Sequence, residues 1–384
     1  MMAFEQLKKV RIYLKKMIEV GASDLHIKAN SAIRIRIDGK IIQLSSGIFA
    51  KEDVLTFAKE LLQDRFAEFF EKKELDLIYP FDENNRFRVN IFFQMDGISA
   101  VFRIIPVRIP SFEELYLPEI IKSFAYKERG LVLVSGVTGS GKSTTLAALI
   151  NEINIHRKKH IIAIEDPIEF VHKDRGSIVN QRSVGQDTLS FDVALRAALR
   201  EDPDIILVGE MRDRETINLA LHAADTGHLV FSTLHTADAK ETVNRIIAQF
   251  PSEEQNRVRL SLAGVLQGVI SQRLISTIDG GRRVAVEILI QTPTIKKLIR
   301  ENRDYEIHDA IEAGRGYYKS QSFDQAILDL YNGKIISKEQ ALSNATSASD
   351  LELKIFGLTP GEITSNQNKK AVDILQDNDN FDLK

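Results

Sequence analysis

Gly136 to Thr144 reads Gly-Val-Thr-Gly-Ser-Gly-Lys-Ser-Thr, and those residue types at that spacing suit one chemistry, the cradling of phosphates. Gly136 and Gly141 bracket a G-x-x-x-x-G-K-[ST] pattern. Glycines let backbone N–H groups turn inward, Lys142 reaches β and γ oxygens, and Ser143 offers a hydroxyl to Mg²⁺. The apolar run Leu131 to Val134 comes before it and Leu146 to Leu149 after it, so a strand, a glycine-rich turn and a helix are expected here, the context the motif requires. Gly136, Thr138, Gly139, Ser140, Gly141, Lys142, Ser143 and Thr144 are therefore the expected nucleotide-binding residues.

Hydrolysis needs more than a phosphate cradle: a carboxylate must position water, and cations must meet the charge of the transition state. Ile205 to Val208 is an apolar strand that runs into Gly209 and Glu210, an arrangement that resembles a Walker B element. Gly209 stands where many NTPases carry an aspartate, which leaves Glu210 as the leading acid and as a candidate Mg²⁺ ligand beside Ser143. Ile161 to Ile164 ends the same way, in Glu165-Asp166-Pro167-Ile168-Glu169-Phe170, so Glu165 is a second candidate for orienting water. The residues alone do not rank the two. His235 follows the strand Leu229 to Ser232 and is placed to sense the γ-phosphate, whereas His228, also a candidate, sits at that strand's opposite end. Arginines cluster at Arg86, Arg88 and Arg103 and again at Arg196, Arg200, Arg212 and Arg214, and nothing in the pattern chooses among them.

The elements that must hold these groups follow from periodicity. Phe4 to Ile18 repeats apolar residues at helical spacing with a basic outer face, as does Lys51 to Lys73 through Val54, Phe57, Leu61, Leu62, Phe66 and Phe70. Ser23 to Ile27, Ile33 to Ile37, Asp76 to Tyr79, Phe87 to Phe93 and Ile98 to Ile105 alternate as strands, and Asp38-Gly39 supplies a hairpin turn. These make a small α+β domain over residues 1–105. Pro106, Pro110 and Pro118 mark a linker over 106–119. Residues 120–290 then alternate apolar strands with helices, the sign of a largely parallel sheet in an α/β domain. Short helices are expected over 291–358, and the polar stretch 359–384 is expected to be disordered.

Composition narrows the class. The 384 residues carry a net charge of -3, which offers no global basic field for nucleic acid. There is no cysteine, which excludes disulfides and thiolate zinc sites. The longest apolar runs fall far short of the roughly 20 residues of a membrane span, and no secretory h-region opens the chain. A cytoplasmic protein is expected, with any membrane association made through a partner.

Taken together, the motifs resemble those of the type II/IV secretion ATPase superfamily, and most closely type IV pilus retraction ATPases of the PilT/PilU type. The stretches that carry the resemblance are Gly21 to His26, Gly136 to Thr144, Glu165 to Phe170, Val184 to Thr188, Leu195 to Arg200, Asp202 to Asp213 and Thr226 to Thr236. It implies a PAS-like N-terminal domain, a RecA-like P-loop core, C-terminal helices and a homo-hexameric ring with ATP and Mg²⁺ between the two domains. Arg88 and Arg103 match family arginines that close over the phosphates. Implied too are a platform protein at the inner membrane as partner, a possible paralogous retraction ATPase, and ATP-driven withdrawal of pilin from the fibre. Thr294 to Glu301 departs from the family's C-terminal pattern at its start, and Ser347 to Lys354 looks like the accessory type, so main motor and accessory paralogue both stay open. Assembly ATPases commonly carry a four-cysteine zinc motif that is absent here. A nucleic-acid translocase and a nucleotide-gated scaffold are the competing classes.

Overall fold

The computed structural model describes residues 4–357 apart from 38, 84 and 107. The tail expected to be disordered lies outside the described residues, as does Asp38 of the expected turn. Helix α1 (Glu5–Glu19) buries Val10, Leu14 and Met17 at helical spacing. An antiparallel sheet follows, built from β1 (Asp24–Lys28), β2 (Ser31–Ile37), β3 (Lys40–Phe49), β4 (Glu74–Pro80), β5 (Arg86–Gln94) and β6 (Gly97–Ile105) in the order β3-β2-β1-β6-β5-β4. Strand alternation puts Phe87, Val89 and Ile91 into the core and leaves Arg86 and Arg88 on the exposed face. The second expected helix is broken. It runs as α2 (Lys51–Leu62), a 3₁₀ turn and α3 (Phe66–Lys72), because Gln63 takes a left-handed φ of 48°. The break lets Phe69 stack on Phe93 with ring centroids 4.8 Å apart.

A 3₁₀ helix (Glu119–Tyr126) leads into a second sheet, β13-β12-β7-β11-β10-β8-β9. Its strands are β7 (Gly130–Ser135), β8 (His160–Glu165), β9 (Ile178–Ser183), β10 (Ile205–Val208), β11 (Leu229–Leu234), β12 (Leu266–Ser276) and β13 (Arg282–Ile290). All pairings are parallel except β12 with β13. β7, β10 and β11 are wholly buried, which is why they read as continuous apolar runs. Helices α4 (Lys142–His156), α5 (Phe191–Ala198), α6 (Arg214–Asp225), α7 (Ala239–Ala248) and α8 (Ser252–Val265) lie between the strands in sequence. The C-terminal helices are α9 (Pro293–Arg300), α10 (Ile307–Ala313), α11 (Phe323–Asn332), α12 (Lys338–Asn344) and α13 (Ala348–Ile355). Arg273 of β12 ties them to the sheet, lying 3.8 Å from the Phe323 ring centre and donating to the Asn344 carbonyl at 2.6 Å.

Parallel pairing has one consequence for chemistry. The C-terminal ends of β7, β8, β10 and β11 meet at a single edge, where ligands sit in open α/β sheets.

Candidate active site

At that edge lies a cavity of about 460 Å³. The phosphate loop forms its floor. Gly136 has a φ of +145°, and a Cβ there would come within 2.4 Å of Ser140 Oγ and 2.6 Å of the Gln272 carbonyl, so only glycine fits the start of the loop. Gly141, also at positive φ, caps α4, whose first N–H groups face the cavity with the helix dipole behind them. Lys142 is buried, and its Nζ donates to the carbonyls of Gly136 at 2.8 Å and Val137 at 3.0 Å. Burial lowers its pKa, against the pull of Glu210 and Glu169. The Ser140 hydroxyl is buried and has no protein partner. Thr138, Gly139, Gly141, Lys142, Ser143 and Thr144 all line the cavity.

Both strand-end acids reach it. Glu165 is half-buried and open to the cavity. Burial pushes its carboxyl up to about 7, against hydrogen bonds from Gln181 and from the Glu169 N–H, and the Glu169 charge pushes the same way as burial. Glu210 is held differently. Its Oε2 pairs with Arg212 at 2.8 Å and its Oε1 lies 3.6 Å from His235 Nε2. Gly209 is explained by packing: a Cβ there would lie 3.1 Å from the Ile164 carbonyl and 3.2 Å from the Glu165 Cα. The two acid-bearing strands approach so closely that a side chain there would push the neighbouring backbone back by a few tenths of an ångström. His235 lines the cavity with them.

Of the expected residues, Gly136 and Ser140 belong to the loop without lining the cavity, and three more stand elsewhere. His228 immediately precedes β11, at the end of the sheet away from the cavity, where its Nδ1 faces the Ala223 carbonyl at 3.0 Å. Arg88 and Arg103 lie on the first sheet, directly opposite each other across β5 and β6. Like charges opposite one another repel, and each is flanked by an acid. Arg103 Nε donates to the buried Asp24 at 2.7 Å, and Arg88 Nε stands 3.9 Å from Asp76. Neither lines the cavity within this chain. Of the lining arginines, Arg212 was one of a cluster among which the pattern did not choose, and Arg282 went unread. Arg212 sits two positions beyond Glu210, a spacing that could have marked it as the acid's partner. Arg282 arrives from the start of β13, and only the β12–β13 hairpin brings it there, so no local signal points to it.

The model of the family described as type II/IV secretion system protein matches residues 5–317. The chain belongs to that family. PilT of Pseudomonas aeruginosa, a type IV pilus retraction ATPase, is 48% identical over 326 residues, 85% of this chain and 94% of that protein. PilU, a type IV pilus ATPase of the same organism, is 40% identical over 356 residues, 92% of this chain and 91% of its own. Among solved structures, that of the pilus retraction motor PilT with bound ADP matches with a TM-score of 0.84 at 43% identity, covering 89% of this chain and 98% of the other. The resemblance read from the motifs is borne out, as is the fold class of a RecA-like α/β core preceded by a small PAS-like α+β unit and followed by helices.

Proposed function

We infer that this chain is an ATP-hydrolysing motor of type IV pilus retraction. One observation supports the reading above the others: in a chain of this family, the phosphate loop, Glu165, Glu210 and His235 converge on one cavity. In this reading the loop N–H groups and Lys142 hold the β and γ phosphates. Ser143 and Glu210 supply two hard oxygens of the kind Mg²⁺ takes, an ion that needs few protein ligands beside substrate phosphates. When bound, Mg²⁺ neutralises phosphate charge. Glu165 and Glu210 orient the attacking water, and an ionised Glu165 takes its proton. His235, next to Glu210, senses the γ-phosphate. Arg88 and Arg103 approach the phosphates only when the first sheet swings toward the second, in a homo-hexamer whose sequential closure turns a platform protein at the inner membrane. Among the described residues, no helix is long and apolar enough to cross a membrane.

The test is deletion of the gene in its host, counting surface pili and measuring surface motility. Retraction predicts more pili with motility lost. Bald cells would overturn the reading in favour of assembly. The accessory reading has one observation on its side, the alignment with PilU through a longer part of this chain though at lower identity, and unchanged piliation would point to it or to a different machine.

A further inference from the structure

Behind Glu165, on the side away from the cavity, stands Gln181 of β9. Its side-chain amide makes three hydrogen bonds. The NH₂ donates to Glu165 Oε1 at 3.0 Å and to the Phe170 carbonyl at 2.8 Å, while Oε1 accepts from the His172 N–H at 2.9 Å. A backbone carbonyl on one side and a backbone N–H on the other fix which end of the amide faces Glu165. The other Glu165 oxygen has a longer bond, 3.3 Å from the Glu169 N–H. Gln181 lines the neighbouring cleft of about 340 Å³ with Ile78, Arg86, His172 and Gln186, and is not among the residues lining the nucleotide cavity. It touches the acid without touching the space for substrate.

We propose that Gln181 is the positioning residue of Glu165, aiming its carboxylate into the cavity and fixing the 166–172 loop against β9. This rests on the reading of the cavity as an ATP-hydrolysing site. The groups around the carboxylate that would otherwise govern it are Asp166 and Glu169 on its own loop, His172, Lys142 on α4, Glu210 and Arg212 beyond β10, His235 beyond β11 and Arg282 on β13. Of these, only the loop reaches Glu165 by a hydrogen bond, so Gln181 supplies the side-chain donor that sets the acid's angle.

The experiment is steady-state ATP hydrolysis by the full chain against pH, for the parent, Gln181→Met and Gln181→Glu. Met keeps the volume and loses all three hydrogen bonds. Glu still accepts from the His172 N–H, keeping one anchor of the loop, but when ionised it loses both donations, to Glu165 and to the Phe170 carbonyl, and sets a second negative charge beside Glu165. Both variants are expected to lose about tenfold or more in kcat with KM within about twofold, the mark of misorientation rather than lost binding. Losing a donor to the carboxylate disfavours its charged form, so the acidic limb of the kcat profile moves to higher pH in both. A folded variant with parental kcat and limb overturns the proposal, as does a loss that appears only as raised KM. Should Gln181→Met unfold, Gln181→Glu decides. Lys142→Ala separates the two readings: a parent whose hydrolysis does not depend on Lys142 overturns the ATPase assignment itself.

Discussion

The two glutamates at the sheet edge differ in environment, and that difference sets how each substitution reads out. Glu210 is ion-paired to Arg212 and lies beside His235. Glu210→Gln keeps the shape and the phosphate loop, so ATP binding should persist while turnover falls about 10²- to 10⁴-fold, the usual scale for a lost acid or base; equilibrium nucleotide binding and phosphate release check this. Lys142→Ala should lose binding itself. Glu165 has its pKa raised to about 7 by burial, so in the proposed role it holds its proton on the acid side and can take one from water only as pH rises through neutrality. The expected kcat profile climbs between about pH 6 and 8, and Glu165→Gln should lower the rate and flatten that limb. A Glu165→Gln enzyme with the same rising limb would assign it to another group.

At the scale of elements, two buried carboxyl groups fix the helices, one against another helix and one against the sheet. Arg259 of α8 donates to both oxygens of the buried Asp304 at 2.8 and 2.7 Å and to the Ile299 carbonyl. Asp304→Ala strands a buried guanidinium and should cost about 3–5 kcal/mol in urea denaturation. Glu287 of β13 accepts the first N–H of α7 from Ala239 at 2.7 Å, and burial pushes its pKa up to about 7. The sign follows from linkage. A carboxyl raised above its unfolded value is no burden below pH 4.5, where both states hold the proton; the burden grows as pH rises from 4.5 to about 7 and stays at its full size above that. Glu287→Gln should therefore unfold at higher temperature than the parent at pH 8, with the gap closing near pH 5. The same elements mark what could be read in the chain. β7, β8, β10 and β11 were legible because burial on both faces makes apolar runs, and their ends pointed to Glu165, Glu210 and His235. β9 was not, since an edge strand reading Ile-Val-Asn-Gln-Arg-Ser carries neither alternation nor an apolar run. β12 follows α8 with no turn between them, and its Gly268 marks no loop. The glycine is there because a Cβ would lie 2.3 Å from the Phe124 ring. The break at Gln63 had no Gly, Asn or Pro to announce it.

For the molecule as a whole, the arginines carry the main consequence. Arg88 and Arg103 were legible only through resemblance, because the role proposed for them depends on how two sheets approach, which no local pattern encodes. Held on Asp76 and Asp24 within one sheet, they should matter only in the closed arrangement. Replacing both by alanine is expected to leave nucleotide binding nearly unchanged and to reduce hydrolysis about 10³-fold or more, as for transition-state arginines elsewhere. Parental turnover in the double variant would remove them from the reaction.

Strand β12 threads all of this together. Its Gln272 donates to Thr145 beneath the phosphate loop at 2.9 Å, Arg273 grips the C-terminal helices, and Leu274 faces the cavity. Successive side chains of a strand point to opposite faces, so three adjacent residues alternately hold the fuel chamber and the outer helices. A strand has fixed covalent length and no slack to absorb a shift. The support of the loop and the anchor of the outer helices thus lie one residue apart, as on a single spoke of a wheel.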